Sequence, residues 1–168
     1  MLHPLIEESG ANISTRFKFT GKIKADPKKL ARVFENVIEN AIKFSDEQPS
    51  ITITTKSEGD YVSILIKDEG VGIDRKELSK VFKRFYRARS SEGVNGTGLG
   101  LSIVKKIVED HQGDVKIKSK KGYGTEVRIR LPFQNGSTIT KDNSRNELTK
   151  QIKNEGKKRG HLSPKGQN

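Results

Sequence analysis

The stretch that most restricts the fold of this chain is DPKKLARVFENVIENAIKF, residues 26–44. Asp26 is a good N-cap and Pro27 suits a first helical position. Leu30, Val33, Phe34, Val37, Ile38, Ala41 and Ile42 then keep helical spacing for four turns, so one apolar stripe must be covered by another layer. The following residues supply that layer. SITITTK and YVSILIKD alternate as strands about a Ser57–Asp60 turn containing Gly59, which predicts an antiparallel hairpin. DVKIKSKKGYGTEVRIRLP predicts a second hairpin, and STRFKFTGKIKA predicts two short strands around a glycine turn. Leu99–His111 reads as another helix, stopped by Gly113, and DRKELSKVF as a short one with Asp74 and Glu77 spaced as a cap and its N3 partner. Helices on one face of a mixed, mostly antiparallel sheet make an α/β two-layer sandwich with about three helices.

The apolar pattern stops after Phe133, so residues 1–133 are expected to form the domain and residues 134–168 a disordered basic tail. That tail holds eight Lys or Arg against three Asp or Glu, which is +5 of the chain's net +12. It reads as a solvated extension, with an electrostatic contact to nucleic acid or an acidic partner as the alternative; nucleic acid is not the expected partner. The absence of cysteine excludes disulfides and thiolate metal sites. His3, His111 and His161 are too far apart to match a metal-ligand spacing. No run approaches about 18 apolar residues, and Met1–Gly10 lacks a signal-peptide pattern. The expectation is a soluble, cytoplasmic chain without membrane contact of its own.

Three groups of residues carry chemistry. Asn36, Asn40 and Lys43 fall within about 60° on the long helix, beside its apolar stripe. Asn is a poor mid-helix residue, and two of them one turn apart imply a use. Amide oxygens suit Mg²⁺ and an ammonium suits phosphate. In IKDEGVGID, Asp68 ends a strand where Gly70 and Gly72 let the chain turn, a carboxylate placed to accept from an exocyclic amine such as that of adenine. In VFKRFYRARSSEGVNGTGLG, Phe82, Phe85 and Tyr86 anchor a polar, glycine-rich loop expected to be mobile. Arg84, Arg87 and Arg89 are the cations on it, placed to grip a terminal phosphate. Gly96, Gly98 and Gly100 then offer backbone N–H groups for phosphates at a helix N-terminus. The loop lacks the Gly-Lys-Ser/Thr of a Walker motif, and no strand directly precedes it as in a dinucleotide fingerprint.

The order Asn36-x3-Asn40-x2-Lys43, Asp68-x-Gly70-x-Gly72, Phe82-x2-Phe85, Gly96-x-Gly98-x-Gly100 and Gly122-x-Gly124-Thr125 resembles the ATP-binding catalytic domain of sensor histidine kinases. These belong with gyrase and the mismatch-repair ATPases among the Bergerat-fold ATPases. The likeness covers roughly residues 20–132. It implies ATP and Mg²⁺ as cofactors, with Asn40 as a ligand to the metal on ATP and Asn36 near metal or phosphate. It implies that Lys43 and Arg87 contact phosphates, and that Phe44 packs near adenine or ribose. Asp68 would bond the adenine amine with support from Thr125. Gly70 and Gly72 would leave room for the flat ring, and Ile73 and Phe85 would also belong to the cofactor site. Residues 74–98 would form an ATP lid, the backbone of Gly98, Leu99 and Gly100 would hold phosphates, and Gly96, Thr97 and Leu101 would also belong to the cofactor site. ATP-hydrolysing members generally carry a Glu where this chain has Asn36, which cannot take a proton at neutral pH. Glu35 and Glu39 are expected to project away from it. This favours γ-phosphoryl transfer to a His over hydrolysis. Neither His3 nor His111 resembles the family's acceptor, so the expected partners are a helical phosphoacceptor and dimerisation domain, in cis in a longer parent or in trans, and a response regulator. The alternative is an ATP-responsive regulatory module without competent catalysis.

Overall fold

A computed structural model describes residues 3–45, 48–88 and 94–133. The expected basic tail and Arg89 lie outside the described residues. The elements are α1 (His3–Ser9), β1 (Asn12–Phe17), α2 (Pro27–Lys43), β2 (Ser50–Glu58), β3 (Tyr61–Asp68), α3 (Gly100–Asp110), β4 (Asp114–Ser119) and β5 (Thr125–Pro132). The strands form one sheet in the order β1-β2-β3-β5-β4. Among the described residues only the β1–β2 pair is parallel. The mixed sheet and the α/β sandwich are therefore as the sequence predicts.

Strand alternation sets the layers. Ile64 and Ile66 of β3 pair with Ile129 and Val127 of β5, and all four are buried against the helices. α2 contributes Leu30, Val33, Val37, Ile38, Ala41 and Ile42 to the same core, and α3 contributes Val104, Ile107 and Val108. Burying each such aliphatic side chain stabilises the fold by about 1.5–3 kcal/mol before chain entropy is counted. Asp26 caps α2 as expected, its Oδ1 accepting from the N–H groups of Lys28 (2.9 Å) and Lys29 (3.1 Å). The two-residue turn at Gly59–Asp60 joins β2 to β3 in register, with Glu58 opposite Tyr61.

Three local readings are corrected, and one element was missed. STRFKFTGKIKA yields one strand, not two: β1 takes its single neighbour from β2, and a return strand would have lain alone on the open edge. Phe19, Ile23 and Ala25 pack on the core instead, with Phe19 edge-on to Phe133 at 4.8 Å. DRKELSKVF is a chain of tight turns rather than a helix, with Glu77, Lys80 and Lys83 N–H groups donating to the carbonyls of Asp74, Glu77 and Lys80. The cap-like signal is spent locally, because Asp74 Oδ1 accepts from Lys76 N–H and Glu77 accepts from the Tyr86 hydroxyl. At the end of α3 the left-handed residue is Gln112 (φ 59°), while a Cβ on Gly113 would stand 2.3 Å from the Arg130 carbonyl oxygen. Gly113 is thus required by close packing on β5 rather than by helix termination. Finally, α1 was not legible in the sequence; Leu5 and Ile6 pack it on the core.

His111 joins the two long helices. Its Nε2 accepts from the Asp26 N–H at 3.0 Å, so Nδ1 carries the proton and donates to the Ile107 carbonyl at 2.7 Å. The C-terminus of α3 is thereby clipped to the N-terminus of α2. His111→Ala is expected to cost about 1 kcal/mol, because the freed N–H is exposed and water can satisfy it. Calorimetry should then show Tm lower by about 2–6 °C.

Candidate functional site

A cavity of ≈ 250 Å³ opens between α2, the loop after β3, the segment 94–101 and the inner faces of β4 and β5. Its floor is Asp68, which is 8% exposed. The side-chain Oδ1 accepts two backbone bonds, from Gly70 N–H and Thr125 N–H, each at 3.0 Å. Both converge on one oxygen and leave Oδ2 as an acceptor. Burial pushes the Asp68 carboxyl above its ordinary range, and the two N–H bonds oppose that shift. Thr125 also lines the cavity, and its hydroxyl lies 2.9 Å from that of Ser119.

α2 forms one wall with Asn36, Asn40, Lys43 and the C-cap residue Phe44. The Asn36 carboxamide donates back to the Arg32 carbonyl at 2.7 Å, and a Cβ on Gly100 would lie 2.9 Å from its Oδ1. Asn36 therefore abuts the start of α3. Glu39 corrects an expectation. Three helical positions from Asn36 is only about 60° around the axis. Glu39 accordingly lines the cavity, where its carboxylate accepts from Lys43 Nζ at 2.5 Å.

The opposite wall is the glycine segment. Gly98 has φ 69°, and its carbonyl accepts from Phe85 N–H at 3.0 Å. A Cβ there would meet the Phe85 and Tyr86 backbone at 2.8–2.9 Å, so only glycine lets this strand of chain lie on residues 85 and 86. Arg87 reaches across the loop to donate to the Val94 carbonyl. α3 starts at Gly100 without a side-chain cap on its N-terminus.

Of the residues singled out in the sequence, Asn36, Asn40, Lys43, Phe44, Asp68, Gly72, Ile73, Arg87, Gly96, Thr97, Gly98, Gly100, Leu101 and Thr125 all line this cavity. Gly70 stands behind the floor and holds Asp68 through its N–H. Phe85 and Leu99 do not belong to the wall: they line a separate surface groove, and the Phe85 side chain is 73% exposed. Tyr86, its neighbour, faces the cavity instead. Sequence reasoning missed the apolar lining of Val71, Val81, Ile117 and Val127. Ile117 and Val127 are cross-strand partners whose alternation reads as ordinary core, so no local signal separates a cavity wall from a packed interior.

The donor set suits a nucleoside triphosphate with a divalent cation. Among the described residues no three His, Cys, Asp or Glu side chains gather to hold a metal. The carboxamides could therefore supply only part of a coordination shell, with phosphate oxygens supplying the rest. Residues 25–135 match the family described as histidine kinase-, DNA gyrase B-, and HSP90-like ATPase. The chain belongs to that family. The sensor histidine kinase WalK of Bacillus subtilis is 41% identical over 117 residues, 67% of this chain and 19% of that protein. The chain thus spans about a fifth of that relative's length. Among solved structures, a mycobacterial sensor histidine kinase, MprB, superposes with a TM-score of 0.72 at 27% identity, over 79% of this chain and 91% of that one. Full-length ShkA in complex with AMPPNP superposes with a TM-score of 0.69 at 25% identity, over 80% of this chain and 28% of that one. Within the ATPase family, then, this is a histidine kinase-type ATP-binding domain of the two-component sensor class. Among the described residues no helix is long and apolar enough to cross a membrane.

Proposed function

We propose that this chain binds Mg-ATP in the cavity and passes the γ-phosphoryl group to a histidine on a separate helical domain. The observation that carries the reading is the convergence of three sequence-distant groups on one space: the Asn36–Asn40–Lys43 face, the Asp68–Thr125 floor and the Gly96–Gly100 segment. Asp68 Oδ2 accepts from the purine amine. The Asn40 carboxamide oxygen holds Mg²⁺ together with phosphate oxygens. Lys43 and Arg87 stand where their charge offsets that of the phosphates, and the first N–H groups of α3 add hydrogen bonds. When bound, Mg-ATP supplies the phosphoryl group and the metal neutralises its oxygens. The γ-phosphorus forms a bond to the imidazole nitrogen as its bond to the β-phosphate oxygen breaks, and ADP leaves. No side chain here needs to act as base, since a neutral imidazole is already nucleophilic. Asn36 cannot take a proton, and the Glu39 carboxylate is engaged by Lys43. The helical partner, a downstream response regulator, the cytoplasmic setting, and a domain ending near residue 133 all belong to this proposal.

Among the described residues His111 is not free to act as the acceptor, and this reading puts the acceptor on another domain or chain. Both ring nitrogens of His111 are occupied, by Asp26 N–H and the Ile107 carbonyl. The same observation supports a second reading, a nucleotide-responsive module that regulates a partner without transferring phosphate. The test is to mix the full chain with a helical phosphoacceptor domain and labelled ATP. Acid-labile, base-stable label on histidine is expected; nucleotide binding without any label would favour the second reading. Asn40→Ala should remove the Mg²⁺-dependent part of ATP-analogue affinity, a loss of about tenfold, while metal-free binding stays unchanged. Equal Mg²⁺ dependence in both proteins would remove Asn40 from the metal site.

A further inference from the structure

Ser119, the last residue of β4, stands beside the cavity floor and is not part of its lining. Its hydroxyl makes three bonds. It accepts from Ile73 N–H at 2.8 Å, donates to the Gly124 carbonyl at 2.8 Å, and lies 2.9 Å from Thr125 Oγ1. A serine hydroxyl has one proton and two lone pairs. The carbonyl oxygen of Gly124 can only accept, so the single proton of Ser119 is spent there. The backbone N–H of Ile73 can only donate, so it takes one lone pair. The remaining contact therefore has one consistent direction, with Thr125 donating its hydroxyl proton to Ser119.

This has a consequence for the cavity. Thr125 Oγ1, its proton turned away, faces the floor with lone pairs only. Next to it, Asp68 receives Thr125 N–H and Gly70 N–H on Oδ1 and offers Oδ2. The floor thus presents two acceptors and no donor from these two side chains. An exocyclic amine, or a water donating both protons, satisfies that pair. A carbonyl oxygen at the same place meets lone pairs on both sides, an arrangement that sites built for hydrogen bonding reject strongly.

We propose that Ser119 is a positioning residue which, by taking the Thr125 proton, makes the cavity floor selective for a purine bearing an amine over one bearing a carbonyl. The inference rests on the proposed nucleotide site and adds to it a determinant of base choice one layer below the wall. Ser119→Ala frees the Thr125 hydroxyl to rotate and donate into the cavity, so the carbonyl-bearing base gains a partner.

The test compares the affinities of ATP and inosine triphosphate for the full chain by calorimetric titration. The two bases differ in the amine and carbonyl in question and at N1, which carries a proton only in inosine, so the change of the ratio between variant and wild type is what reports on Ser119. The ratio of the two affinities, taken on one preparation, is insensitive to how much of a variant is folded. Wild type is expected to prefer ATP, and Ser119→Ala should reduce that preference by about fivefold, the equivalent of one hydrogen bond. Thr125→Val keeps the shape and removes the hydroxyl. In that background Ser119→Ala should change the ratio no further, because its effect runs through Thr125. A wild-type ratio in Ser119→Ala would overturn the inference, as would an undiminished effect in the Thr125→Val background. Equal affinity of wild type for both nucleotides would overturn it together with the adenine reading of the site, a failure distinct from the other two.

Discussion

Asp68→Asn should lower the affinity for ATP analogues by about 100-fold while leaving the protein folded. The two backbone N–H groups that bond Oδ1 require an acceptor there, and the asparagine carbonyl oxygen supplies one. The amide nitrogen is then forced into the place of Oδ2. In the proposed site a purine amine would then meet a donor where the wild type offers it a carboxylate, so a charge-assisted bond would be exchanged for a repulsive contact. The stability of the same variant has the opposite sign. Burial raises the Asp68 carboxyl above its ordinary value, so the native state holds that proton more tightly than the unfolded chain does. Wild-type stability from this group is therefore greatest below the unfolded carboxyl pKa. It declines as pH rises through the interval up to the native value and stays reduced above it. The substituted carboxamide has no proton to lose over that interval. The Tm of Asp68→Asn relative to wild type should thus rise from acid to neutral pH, read by scanning calorimetry. A variant that loses both Tm and binding at neutral pH would show that the carboxylate holds the floor together rather than recognising a base.

The other large effect concerns the turn before β5. Gly122 and Gly124 both have positive φ, 77° and 86°. Around Gly122 nothing lies within 4 Å of an added Cβ, whereas at Gly124 that atom would stand 2.1 Å from the Asp68 carbonyl oxygen. Alanine at 122 carries only the left-handed penalty, about 1–2 kcal/mol. Alanine at 124 adds a collision with backbone that can yield only if the end of β3 moves. About 4 kcal/mol is expected there, the range of the most damaging single substitutions. Urea unfolding should give a small midpoint shift for Gly122→Ala and a large one for Gly124→Ala, with nucleotide binding lost in the latter because Asp68 moves with its carbonyl. Similar shifts for the two would mean that conformation alone, and not the contact, requires these glycines.

The helix 26–44 and the hairpins were legible because their periods differ and their caps and turns are local. The Asn face of α2 and the acid at the end of β3 were legible for the same reason, since a fixed period places a side chain on a face. Apart from Glu39, what escaped depends on contacts that no local period sets. Glu39 was misplaced by an angle that the helix itself sets, and its pairing with Lys43 is visible only with side chains in place. The aromatic run 82–86 carries no period, so which ring faces the cavity is decided by the tight turns beneath it. There the structure chose Tyr86 and left Phe85 outside. Ser119 reads as a polar residue ending a strand, and its three partners come from three segments.

The bond from Thr125 N–H to Asp68 spans 57 residues. A chain emerging from the ribosome therefore cannot complete the proposed base platform until β5 has threaded in beside β3. Retention of a purine nucleotide during synthesis would report the arrival of that strand, and cleavage between residues 119 and 125 followed by loss of β5 would release the ligand even with both long helices intact.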